Sequence, residues 1–82
     1  MKVLLADDEP NIVKTLKKYL ELEGWEIATA GNGLAAQKLL MESPFDILVV
    51  DLRMPGMTGL ELLEWLSSEG PALPAIMISA YG

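Results

Sequence analysis

The sequence predicts an α/β fold with a parallel sheet, on three observations: short apolar runs alternate with stretches of helical spacing, the runs at Val3 to Ala6 and Ile47 to Val50 are apolar throughout, and both end in aspartate. A strand covered on both faces reads as a continuous apolar run, because neither face meets water. Strands that alternate with helices imply right-handed crossovers onto a single sheet. At 82 residues, 51% hydrophobic and 22% charged, the chain can bury one modest core and has no room for a second domain.

Lys2 to Asp7 is the first strand, rich in Val and Leu and stopped by Asp7-Asp8-Glu9-Pro10. From Asn11 the spacing becomes helical, with Ile12, Leu16 and Leu20 aligned, Val13 beside them, and Lys14, Lys17, Lys18 and Glu21 facing away. Pro10 suits a first turn, where its missing N–H is not needed, and Gly24 suits the stop. Trp25 to Ala30 alternates as a second strand, and Gly31-Asn32-Gly33 supplies a turn. A second amphipathic helix follows through Leu39, Leu40 and Met41, ended by Ser43-Pro44.

Phe45 to Val50 is the most strand-like segment and belongs in the sheet centre, terminating in Asp51. Arg53-Met54-Pro55-Gly56-Met57 makes a turn, and Thr58 with Glu61 three residues later forms a capping box for a helix over Gly59 to Ser68. Leu62, Leu63 and Leu66 give that helix its apolar face, and Gly70-Pro71 closes it. Pro74 to Ser79 reads as a fourth strand, and the sequence contains no internal repeat or low-complexity tract.

Bulk properties narrow the function classes. Without cysteine there is no disulfide framework and no thiolate metal site, which suits a reducing, cytoplasmic setting. The apolar start meets acids at Asp7, too soon for a signal-peptide core or a membrane span. Twelve acids against six bases give a formal charge of −6, which disfavours a nucleic-acid surface, since neutralising phosphates needs clustered Lys and Arg.

In a parallel sheet all strands end on one edge, so Asp7-Asp8, Asp51 and Ser79 are brought together from far apart in sequence. If the first and third strands are neighbours, their acids meet in the crevice where the crossovers diverge to opposite faces. Carboxylates crowded there raise one another's proton affinity unless a cation neutralises them, and Mg²⁺, which prefers hard oxygen ligands and bridges carboxylates to phosphate, is the natural candidate. The plainer alternative is that Asp7 and Asp8 cap the first helix and that Asp51 is a turn residue. Ser79 alone carries little weight, since a strand-end Ser commonly bonds solvent or nearby backbone.

Leu5-Ala6-Asp7-Asp8-Glu9-Pro10, the Asp-x-x-Met-Pro-x-x-x-Gly stretch from Asp51 to Gly59, and Ile78-Ser79-Ala80 together resemble a response-regulator receiver domain of two-component signal transduction. The resemblance covers the whole chain in order. It implies a flavodoxin-like (CheY-like) three-layer sandwich, and that residues 1–82 are its N-terminal two-thirds, with strands in the order 2-1-3-4. It further implies that a sensor histidine kinase or phosphotransfer protein donates a phosphoryl group to Asp51. Asp8, Asp51 and the backbone carbonyl of Arg53 would bind Mg²⁺, with Asp7 acting largely through water. Ser79, followed by Ala80, would contact the phosphoryl group, and Pro55 and Gly59 would shape the loop after Asp51.

The family's domain continues with a helix, a fifth strand that ends in a phosphoryl-pairing lysine, and a last helix, none of which has a counterpart in these 82 residues. Impaired phosphorylation and self-association to a dimer or higher oligomer through the fourth strand are therefore expected of this chain, because Ala75-Ile76-Met77-Ile78 carries no gatekeeping charge. Mg²⁺ binding is expected to outlast phosphorylation. An enzyme alternative, an Mg²⁺-dependent phosphatase or phosphotransferase with an aspartyl phosphate, would need a second acid two residues after its nucleophile, where Arg53 stands. A module that signals without phosphoryl transfer is the other alternative.

Overall fold

The computed structural model describes residues 1–78. Its elements run β1 (Lys2–Ala6), α1 (Pro10–Leu22), β2 (Glu26–Ala30), α2 (Gly33–Glu42), β3 (Ile47–Asp51), α3 (Gly59–Ser68) and β4 (Ala75–Ile78). The four strands form one sheet in the order β2-β1-β3-β4. Every pairing is parallel, with Leu4 opposite Ala28 and Leu48, and Val50 opposite Met77. The expected α/β architecture, strand order and central β3 are all present.

Strand alternation divides the sheet into two unequal faces. Leu4, Ala6, Leu48 and Val50 point to one face and pack with Ala36 and Leu40 of α2 and Leu62 and Leu66 of α3 into the larger core. Val3, Leu5 and Ile27 point to the other, where Val13, Leu16 and Leu20 of α1 cover them. Leu4, Leu5, Leu48 and Leu62 lose all exposure, each contributing about 1.5–3 kcal/mol of transfer free energy. No residue of α1 is fully buried, so the second face is covered by one helix whose flanks stay open among the described residues.

Element ends follow local chemistry. Pro10 opens α1 as anticipated, and Gly24 stops it at φ +86°, donating its N–H to the Glu21 carbonyl at 2.9 Å. Asn32 caps α2 by accepting the Ala35 N–H at 2.8 Å. Thr58 and Glu61 make the expected capping box, with reciprocal bonds of 3.2 and 3.0 Å. Two expectations shift. Ile12 leaves the core stripe, because it lies one residue's rotation before Val13 and so falls on the flank of α1 that faces the carboxyl edge of the sheet. Asp7 falls just past β1, which ends at Ala6, whereas Asp51 ends β3 as expected, paired with Ile78. The fourth strand is described as far as Ile78, so Ser79 and Ala80 lie outside the described residues. Among the described residues no helix is long and apolar enough to cross a membrane.

A candidate acidic site at the carboxyl edge of the sheet

β1 and β3 are neighbours, and the first residue after β1 and the last residue of β3 are both aspartates. Parallel pairing of Ala6 with Val50 therefore delivers Asp7 and Asp51 to the same edge. Asp7, Asp8 and Asp51 each bring a carboxylate oxygen into one group, all within 4.8 Å of one another. Asp7 and Asp51 are buried, at 3% and 7% exposure, while Asp8 is exposed.

The acidic turn is held from two sides. The Asp7 N–H donates to the Ala30 carbonyl at 3.0 Å, fastening the turn to the end of β2. The Asp7 Oδ1 accepts the Glu9 N–H at 2.9 Å, which folds the turn onto itself. Helix capping does not account for these acids: the cap of α1 is Glu9, whose side chain makes no capping bond, and the first turn holds no acid. Burial pushes the Asp7 carboxyl above its ordinary value. The Glu9 N–H pulls it back, and the charges of Asp51, Asp8 and Glu9 push it up again.

The loop after Asp51 forms the opposite wall. Met54 is buried in the larger core and anchors it, and Pro55-Gly56 turns it, with Gly56 at φ +77° where a side chain would be strained. Gly59 is buried directly beneath the end of β3. A Cβ there would run into the Asp51 carbonyl oxygen and sit 3.0 Å from the Leu52 Cα, so only glycine allows α3 to start this close to the strand. The Gly59 N–H donates to the Leu52 carbonyl at 3.1 Å, and the Leu52 N–H to the Ile78 carbonyl at 3.1 Å.

An open cavity of about 700 Å³ lies between these walls. Of the residues singled out from the sequence, Asp7, Asp8, Asp51, Arg53 and Pro55 line it, and Gly59 supports it from below. Glu9, Asn11, Ile12 and Thr58 also line it. The helical spacing places Ile12 with the core stripe and the capping box places Thr58 at a helix start, while Glu9 and Asn11 are marked in the sequence by adjacency to the acid pair.

Chemically, this partly enclosed group of three carboxylates could hold a cation, and its all-oxygen donor set fits a hard divalent ion such as Mg²⁺. The family model of the response regulator receiver domain matches residues 3–82. The chain belongs to that family. Receiver domains are signalling domains of two-component systems, and this chain shares 40% identity over 81 residues with the transcriptional regulatory protein SrrA of Staphylococcus aureus. It is 38% identical over 78 residues to the response regulator GtcR of Aneurinibacillus migulanus. These alignments take in 99% and 95% of the chain, which spans about a third of either relative, 33% and 32%.

Solved receivers agree in fold. The receiver domain of Francisella response regulator 1452 superposes with a TM-score of 0.93 at 34% identity, covering 98% of this chain and 66% of that one. TrrA of Thermotoga maritima, in complex with Mg²⁺-BeF, gives 0.92 at 38% identity, covering 99% and 70%. TrrA has also been solved in complex with the histidine kinase ThkA, and that copy gives 0.90 at the same identity and coverage. The flavodoxin-like reading of the sequence is thus the observed fold. The chain spans about two-thirds of these solved receiver chains.

Proposed function

We propose that Asp51 is the phosphoacceptor of a two-component receiver, taking its phosphoryl group from a sensor histidine kinase or a phosphotransfer protein. The observation that carries this reading is the meeting of the Asp7, Asp8 and Asp51 carboxylates within 4.8 Å, with Asp51 buried at the floor of an open cavity. Asp8, Asp51 and the Arg53 carbonyl would hold Mg²⁺, with Asp7 acting through water. The ion would neutralise charge on the phosphoryl oxygens.

The chain's own part is positional. β3 fixes the Asp51 carboxylate, one oxygen of which forms the new bond to phosphorus as the bond from phosphorus to the donor breaks. Gly59 and Met54 keep the loop after Asp51 close enough for Arg53 to border the same cavity. Ser79, with Ala80 after it, would donate to the transferred group and carry the change outward to a partner or effector. The ThkA complex of the TrrA receiver supports a kinase as the donor.

Incubation of the 82-residue chain with a small-molecule phosphodonor and Mg²⁺ should add one phosphoryl mass at low stoichiometry, since the family's lysine has no counterpart in this sequence. Asp51→Asn should abolish the gain. A gain that survives Asp51→Asn overturns the assignment, and complete phosphorylation overturns the expectation of impairment. The same chain should self-associate through the open edge of β4, which sedimentation would show.

A further inference from the structure

We infer that Gly33, the first residue of α2, is a positioning residue for the acidic site: it is the seat on which Met57 rests, and its lack of a side chain sets where the loop from Arg53 to Thr58 lies. The inference rests on the reading of that site as a Mg²⁺ site and adds to it a residue that borders neither the carboxylates nor the cavity.

Gly33 is buried, and a Cβ built on it would lie 2.5 Å from the Met57 Cβ, 2.6 Å from the Met57 carbonyl oxygen and 2.8 Å from its Cγ. Rotation of the Met57 side chain could relieve the last of these contacts and none of the first two. A methyl group at position 33 would therefore force either α2 or the backbone at Met57 to move.

The start of α2 is the better anchored of the two. Asn32 caps it through the Ala35 N–H at 2.8 Å, and Ala36 and Leu40 are buried in the larger core. Just upstream, the Ala30 carbonyl takes the Asp7 N–H at 3.0 Å. The loop is held instead along its length, by Met54 in the core, Met57 on Gly33, the Thr58 capping box and Gly59 against Asp51, with Met57 at its middle. Lifting Met57 releases the middle point, and Arg53, Pro55 and Thr58 on the cavity wall shift with it.

Gly31 is an internal comparison. It lies two residues before Gly33, also without a positive φ, and a Cβ there meets nothing within 4 Å. Alanine is tolerated by the backbone at both positions and, within a helix, is favoured over glycine by about 1 kcal/mol. A loss confined to position 33 therefore comes from the contact and not from the backbone.

The test is a Mg²⁺ titration by calorimetry of the wild type, Gly33→Ala, Gly31→Ala, and Gly33→Ala combined with Met57→Gly, each checked for folding by urea unfolding. Gly33→Ala should weaken Mg²⁺ binding about 10-fold, the scale on which outer-shell support tunes metal sites. Gly31→Ala should bind as the wild type does, and Met57→Gly in the Gly33→Ala background should recover part of the loss, since it removes the Cβ and Cγ contacts and gives the backbone at 57 the freedom to turn its carbonyl away. A folded Gly33→Ala with wild-type affinity overturns the inference, as does a loss that Met57→Gly leaves untouched. If Gly33→Ala does not fold, restored folding in the double variant supports the seat and continued unfolding refutes it. A wild type that binds no Mg²⁺ sinks the reading of the site instead. The seat is then judged without metal, by hydrogen exchange at the Gly59 N–H: faster exchange in Gly33→Ala than in Gly31→Ala supports it, and equal rates refute it.

Discussion

Asp7 concentrates the electrostatic cost of the site. Its folded-state proton affinity lies above the ordinary value, chiefly from burial and then from its acidic neighbours, so the native state keeps this proton to higher pH than the unfolded chain. Metal-free stability therefore falls as pH rises from the ordinary carboxylate value through the raised one. Asp7→Asn keeps an oxygen for the Glu9 N–H and removes the charge. At neutral pH without metal it should gain about 1 kcal/mol in urea unfolding, the ordinary scale of one substitution, and the gain should vanish below that window and shrink in high salt. Mg²⁺ should reverse the order, adding roughly 2.7 kcal/mol to the wild type at a hundredfold excess over Kd and less to the variant. The acids and their convergence were legible in the sequence because strand ends in a parallel sheet share an edge. The Gly33 and Met57 contact was not, since glycine in Gly31-Asn32-Gly33 reads equally well as a turn until the loop that lies against it is placed.

Helices and strands were legible where period and punctuation agreed, as in α3, whose capping box, apolar face and extent from Gly59 to Ser68 were all foreseen. Thr58→Ala should cost about 1 kcal/mol in urea unfolding. Glu61 shifts in the opposite sense to Asp7: bonds from the Thr58 backbone N–H and then its hydroxyl lower the Glu61 value, so its support is complete above the ordinary carboxylate range and lost as pH falls through the lowered one. Gly59→Ala should cost about 1–3 kcal/mol, the range for overpacking, and should also disturb Mg²⁺ binding, since the strain falls on the Asp51 backbone. Ends were less legible than existence. Asp51 ends β3 as read, but Asp7, read as the end of the first strand, falls past β1, because its carboxylate takes the Glu9 N–H and folds the chain into a turn that the apolar run Val3 to Ala6 does not contain.

Over the whole molecule the two faces of the sheet are unequally covered, and β4 is the clearest place to see it. Ile76 aligns with Val49 on the α1 face and Met77 with Val50 on the other, yet they keep 50% and 38% of their exposure. Ile76→Lys would put a charge on this edge and should lower self-association of the 82-residue chain, read by sedimentation. A compact monomer of the wild type that unfolds cooperatively would refute self-association outright. The adjacency of β1 and β3 has a further consequence, for time rather than for energy. The two strands that bring Asp7 and Asp51 together pair across all of α1, β2 and α2, so the acids meet only after long loops have closed, a slow kind of step. An ion captured there grips a contact that forms late on the way in. Mg²⁺ should therefore slow unfolding and leave the refolding limb of a denaturant chevron nearly unchanged.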